Sequence, residues 1–258
     1  MGLGFELGVI AFASLMIYYI GKVFAKASSN IGDYLRLPRS VKGATFDAIS
    51  SSAPELLVAL FSVIFFKQFE VGIGTIAGSA LFNLLVIPGI CVLISPIAFK
   101  VGREVVRRDA LFYIIAVFAL MIAVVYFKTW GIGIALLFIA LYIAYILKLR
   151  KHSKRYQRRN KKQEKLDINI TKEILIFIST LFLIAVATFF LTDSSIKIST
   201  ILNISPIIIA FTITAAATSV PDTVISVVNA KKGDIDDATS NVFGSNTFDI
   251  LIGLGLPL

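Results

Sequence analysis

The sequence predicts an all-α polytopic membrane protein built from two inverted-topology repeats, and three observations predict it. Of 258 residues, 57% are hydrophobic and only 16% charged, whereas soluble domains carry about a quarter charged residues. The apolar residues fall into long runs. A motif with proline directly before an acid then occurs twice inside them, as "SSSAPE" at 50–55 and "ATSVPD" at 217–222.

About 20 apolar residues rising 1.5 Å each cross the hydrocarbon core. Eight segments meet that description, at roughly 3–25, 41–66, 71–95, 110–127, 130–147, 174–191, 204–229 and 237–258. The first resembles a signal peptide in position only. No basic residue precedes its apolar run and Glu6 stands where a positive region belongs, so an uncleaved helix is expected. Segments four, five and six contain plain uncharged stretches and read as structural helices. Segments two, three, seven and eight are interrupted by Pro, Gly, Ser, Thr, Asn and acids. Such residues suit helices that line a site, not helices that face lipid.

Orientation follows from the basic residues, because positive loops stay in the cytoplasm. The connections after segments one, three, five and seven hold 22 of the 25 Lys and Arg; those after two, four and six hold Lys67, Lys128 and Lys197. The N-terminus is therefore expected outside. The run "KLRKHSKRYQRRNKKQEK" at 148–165 reads as a solvated cytoplasmic loop, with contact to anionic lipid as its alternative and nucleic acid excluded. Cys91 cannot form an intrachain disulfide, and His152 cannot build a His/Cys metal site, since each is alone of its kind.

Aligning Pro54 with Pro221 also pairs Thr45 with Thr212, Ala48 with Ala215, Ser52 with Ser219 and Glu55 with Asp222. After one gap, Gly78, Ser79, Phe82, Leu85 and Gly89 match Gly244, Ser245, Phe248, Leu251 and Gly255, with Asn83 opposite Asp249. The expected topology runs the two copies in opposite directions, an architecture of secondary transporters with a midplane site made by broken helices.

A proline inside a helix lacks the N–H that would bond the carbonyl four residues back. Pro54 and Pro221 thus release the carbonyls of Ser50 and Ala217, beside the hydroxyls of Ser51, Ser52, Thr218 and Ser219. An ionised carboxylate at the bilayer centre costs at least about 2.5 kcal/mol. Glu55 and Asp222 therefore need protons or a cation. Ca²⁺ takes about 6 to 8 oxygens in irregular geometry, and the same oxygens suit Na⁺. Competition between them is the logic of an antiporter.

"GATFDAISSSAPELLVALFSV", "GTIAGSALFNLLVIPGICVL" and "TSVPDTVISVVNAKKGDIDDATSNVFGSNTFDILIGLGLP" resemble the two alpha-repeats of the cation/Ca²⁺ exchanger superfamily, the sodium/calcium exchangers, and most of all its potassium-dependent branch. The resemblance implies a central Ca²⁺ site at Glu55 and Asp222. It implies Na⁺ sites lined by carbonyls near Ala48, Ser51, Ala215 and Thr218 and by the hydroxyls of Ser52 and Ser219. Asn83 and Asp249, with Ser79 and Ser245, would complete the centre, and Asp249 would decide K⁺ dependence. It further implies a multi-pass protein, expected in the plasma membrane, that uses no cofactor and transports the inorganic cations Ca²⁺ and Na⁺, with K⁺ added if the likeness to the potassium-dependent branch extends to transport.

The domains expected are 1–147, a first repeat of five spans; 148–173, the basic cytoplasmic loop; and 174–258, a second repeat of three. The family fold has five spans per repeat, so about 8 of 10 are present. Either the sequence is a piece of a longer chain, or a second polypeptide completes the fold, or the short form is a degenerate copy. Asp47 also departs from the family, where an apolar residue is usual. Hydration in a vestibule and a part in ion or proton entry are its two readings. "GDIDD" at 233–237 lacks the spacing of an EF-hand and reads instead as acids capping segment eight, as Glu70 does before segment three.

The leading expectation is a secondary active antiporter driven by Na⁺. A Ca²⁺/H⁺ or other cation/H⁺ antiporter of the same fold is the alternative, and a non-transporting membrane subunit the second. No nucleotide-binding loop or catalytic triad is present, so no enzyme activity is expected.

Overall fold

The computed structural model describes residues 2–37, 39–127, 129–159 and 168–258, and within them the regular structure is entirely helical. Helix α1 spans Leu3–Tyr34. A bent pair follows, α2 (Gly43–Ser51) and α3 (Ala53–Ile64), then α4 (Phe69–Ile94), α5 (Arg103–Tyr126), α6 (Ile132–Arg159) and α7 (Ile170–Leu202). The second bent pair is α8 (Pro206–Thr218) and α9 (Val220–Lys231). Helix α10, Ile235–Phe248, continues into a π-helical turn at Asp249–Gly253.

Among the described residues, α1, α4, α5, α6 and α7 are each long and apolar enough to cross a membrane, and the bent pairs raise the number to seven. The expected eighth segment is helical, but α10 is short and rich in Ser, Asn and Thr. Large apolar side chains such as Phe12, Leu93, Val125 and Ile132 are exposed, while beside buried apolar residues such as Ile17, Phe138 and Leu251 the interior also holds Ser51, Asn83, Asn241 and Asp249. The exposed apolar surface suits a lipid solvent, which gives apolar side chains no reason to hide.

Helix ends differ from the expected ones where a charge was taken as a boundary. Helix α1 continues past residue 25 to Tyr34, held there by Ser28 donating to the Phe46 carbonyl (2.7 Å) and by a Lys42–Asp33 ion pair (3.1 Å). Helix α7 begins at Ile170, capped by the Asn169 side chain, and its 33 residues span about 50 Å. The basic stretch is not a loop from its start, because α6 runs through Arg159; residues 160–167 of it lie outside those described.

The duplication is visible in the backbone. A π-helical turn occupies Gly43–Asp47 in one copy and Ala210–Thr214 in the other, both 167 positions apart. Each is followed by a single α turn and a break at a serine, Ser52 (φ −85°, ψ 2°) and Ser219 (φ −75°, ψ 2°). The chain then bends by 48° and 41°.

Two glycines dock the repeats against each other. A Cβ at Gly78 of α4 would collide with the backbone of Phe211, and one at Gly244 of α10 would lie 2.8 Å from the Cα of Ala44. Each glycine thus packs on the π turn of the opposite repeat. Close backbone approach through small residues is how helices associate in membranes.

Candidate cation site

Proline fixes the local geometry. Pro54 and Pro221 sit in the first turn of α3 and α9, where a missing N–H costs least. At the two breaks Ser52 N–H bonds Ala48 O (3.0 Å) and Leu56 N–H bonds Ser52 O (3.1 Å), while Ser219 N–H bonds Ala215 O (2.9 Å) and Thr223 N–H bonds Ser219 O (3.1 Å). Glu55 and Asp222 follow one residue after each proline, in the positive first turn of a half-helix, and both are fully buried.

Around Glu55, Ser79 Oγ donates to Oε1 (3.2 Å) and is itself donated to by Ser219 Oγ (2.9 Å). Around Asp222, Ser245 Oγ donates to Oδ1 and receives a bond from Ser52 Oγ (2.8 Å). Asn83 Nδ2 reaches Asp222 Oδ2 (2.8 Å). Ser51 Oγ lies 3.1 Å from Ser245 Oγ and also reaches the Ala48 carbonyl (3.1 Å), to which Ser245 Oγ is 3.4 Å. Thr218 Oγ1 bonds the Ala215 carbonyl (3.2 Å). The expected residues therefore meet at the crossing of the broken helices with α4 and α10.

Asp249 stands at the far end of α10, within electrostatic reach of Glu55 and Asp222. Both of its oxygens are buried without a hydrogen-bond partner, as are Glu55 Oε2 and Asn83 Oδ1. Orphaned buried acceptors are costly in any fold and dearer still in a membrane. A bound cation would supply what they lack. Among the described residues no three acidic, histidine or cysteine side chains gather into one ligand cluster. The donor set is accordingly hydroxyl, amide and carbonyl oxygen around two carboxylates, a mixture that matches Ca²⁺ or Na⁺ better than a thiolate or imidazole metal.

Two amides were not foreseen. Asn241 donates to Ser226 Oγ (3.0 Å) and accepts from Ser51 (3.3 Å), while Asn246 accepts from Asn83 (3.0 Å) and donates to the Ala80 carbonyl (3.2 Å). Their counterparts in the first repeat, Thr75 and Ala80, carry no amide, so the pairing that revealed the other residues passed over them. The four-residue spacing from Asn241 to Ser245 on one helix face was the available signal.

Asp47 is buried at the wall of a cavity of about 500 Å³ whose lining includes Asp33, Lys42, Lys232 and Asp237. The acids before α10 do not cap it as expected: Asp234 makes no side-chain cap bond, and Asp236 accepts from the N–H of Gly102 (2.6 Å). Asp236 and Asp237 still occupy the first turn, where the helix dipole favours them.

The family profile described as sodium/calcium exchanger protein matches residues 5–149 and 172–258. Inner membrane protein YrbG of Escherichia coli is 29% identical over 250 residues, covering 94% of this chain and 76% of its own. An uncharacterized membrane protein of Methanocaldococcus jannaschii, MJ0091, is 29% identical over 251 residues, covering 97% and 79%. Sodium/potassium/calcium exchanger 4 of Mus musculus is 38% identical over 133 residues, 51% of this chain and 21% of its own. Among solved structures, the sodium-calcium exchanger NCX_Mj soaked with Na⁺ and Sr²⁺ superposes with a TM-score of 0.71 at 24% identity, covering 99% of this chain and 82% of that one. At that identity the likeness speaks for the fold.

Proposed function

The chain belongs to the sodium/calcium exchanger protein family, and from that premise we infer that it is a secondary active antiporter exchanging Na⁺ for Ca²⁺ across a membrane. One observation carries the reading: two buried carboxylates on pseudo-symmetric broken helices, set among hydroxyls, with acceptor oxygens on Glu55, Asn83 and Asp249 that have no protein partner.

The ion is the substrate, and the chain's residues account for its handling. Glu55 and Asp222 supply charge; Ser51, Ser52, Thr218, Ser219, Ser79 and Ser245 supply hydroxyls; the carbonyls near Ala48, Ser51, Ala215 and Thr218 supply neutral oxygens. Without a cation the paired charges are buried and uncompensated, which disfavours passage of the empty protein between its two open states. Either Na⁺ or Ca²⁺ relieves that cost, so exchange is coupled. Inverted repeats allow access to alternate by rocking one bundle against the other around a fixed site.

K⁺ counter-transport is the finer part of the proposal, supported by the two unpartnered oxygens of Asp249. We place the protein in the cell membrane, with its N-terminus outside because basic residues crowd the alternate connections.

Ca²⁺ uptake into Na⁺-loaded proteoliposomes, with pH equal on both sides, tests the reading. Uptake that vanishes when external Na⁺ matches the internal supports it. Uptake that needs a pH gradient instead moves the protein to H⁺ coupling.

A further inference from the structure

Outside the cation site, the described residues hold a second buried polar cluster, contributed by three helices. Asp109 of α5 is fully buried, and both of its oxygens are engaged. Arg108, its neighbour in sequence, donates from Nε to Oδ1 and from Nη2 to Oδ2, each at 2.6 Å. Tyr145 of α6 donates its hydroxyl to Oδ1 (3.0 Å), and Ser240 of α10 donates to Oδ2 (2.8 Å). A π-helical turn at Val106–Ala110 sets Arg108 and Asp109 in place, and both are buried.

Charge closes within this cluster. The guanidinium meets the carboxylate through two parallel bonds, the strongest form of such a pair, so Asp109 has no use for a cation. A buried ion pair is weak evidence for stability, because well-packed apolar residues often do as well. What it does provide is a directional acceptor, and that acceptor is aimed at α10.

Ser240 immediately precedes Asn241. Asn241 is bonded to Ser51 and Ser226, and Ser245, one turn later, is bonded to Asp222. Adjacent residues on a helix point about 100° apart, and each adds 1.5 Å of rise. Helix α10 is thus gripped on two faces at one level, by Asp109 on one and by the cation site on the other. A slip of a single residue would break both.

The first repeat has no such grip. Ser240 corresponds to Gly74 of α4, which lies against the Ile207 carbonyl, so that helix is located by backbone packing. We propose that Asp109 is a positioning residue: through Ser240 it sets the height and rotation of α10, and so the placement of Ser245, Asn83's partner Asn246, and Asp249 at the cation site. The proposal rests on the antiporter reading of that site.

Ser240→Ala tests it, because the substitution removes the link to α10 and leaves Asp109 with Arg108 and Tyr145. Ca²⁺ titration calorimetry and thermal unfolding in ion-free buffer are measured on the full chain. Ser240→Ala is expected to weaken Ca²⁺ binding about tenfold, equivalent to about 1.4 kcal/mol, with little change in unfolding temperature. Ser240→Thr, which keeps the hydroxyl, restores the affinity. Asp109→Asn with Ser240→Ala binds no more weakly than Asp109→Asn alone, as expected of one shared contact.

Lowered stability with wild-type affinity in Ser240→Ala overturns the proposal and leaves the antiporter reading intact. Absence of Ca²⁺ binding in the unmodified protein overturns both.

Discussion

Ser52 Oγ donates to Ser245 Oγ across 2.8 Å, joining a broken helix of one repeat to the intact helix of the other. The pseudo-symmetric pair, Ser219 to Ser79, repeats the bond at 2.9 Å. Each receiving serine then donates to the acid of its own repeat, Ser245 to Asp222 and Ser79 to Glu55. The two carboxylates are thereby held by matching relays, each begun by the opposite repeat.

Matching relays imply matching effects. Ser52→Ala and Ser219→Ala each remove the bond that begins its relay, of the net strength usual for proteins, about 0.5–1.5 kcal/mol; Ser219→Ala also removes a longer contact to Glu55 Oε1 (3.5 Å). Ca²⁺ affinity is expected to fall by similar factors in both, between about twofold and tenfold, by calorimetry. A loss confined to one variant would break the symmetry.

Asp249 lies near Ser52 at the start of one relay, yet neither of its buried oxygens has a hydrogen-bond partner. Asp249→Asn should abolish stimulation of Ca²⁺ flux by K⁺ while Na⁺-driven flux persists. Flux measured in K⁺ and in K⁺-free media checks this, and stimulation retained in the variant would remove Asp249 from any K⁺ site.

Gly78→Ala and Gly244→Ala should each destabilise the protein by about 1–3 kcal/mol, the usual cost of overpacking. The methyl group would strike backbone, which cannot turn aside as a side chain can. Gly89→Ala is the control, since nothing lies within 4 Å of a Cβ there. Thermal unfolding of the detergent-solubilised protein separates the three.

The broken helices and their acids were legible in the sequence because proline, serine and carboxylate are conspicuous in an apolar run. Repetition at an offset of 167, and of 166 after one gap, then paired Glu55 with Asp222 and Ser79 with Ser245. The π-helical turns were not legible: a one-residue change in hydrogen-bond register leaves no compositional trace at Gly43–Asp47. Asn241 and Asn246 escaped because they break the internal repeat. Arg108 and Asp109 escaped for another reason. A hydropathy reading ends a span at charged residues, whereas here two opposite charges neutralise each other and enter the buried interior together.

The central claim is that Glu55 and Asp222 hold one ion between the inverted repeats, and Ca²⁺ titration calorimetry in Na⁺-free buffer tests it most directly. The unmodified chain should bind Ca²⁺ saturably and release it as Na⁺ is added, while Glu55→Gln and Asp222→Asn, inserted and folded, should show no binding. Wild-type affinity in either neutral variant would contradict the claim.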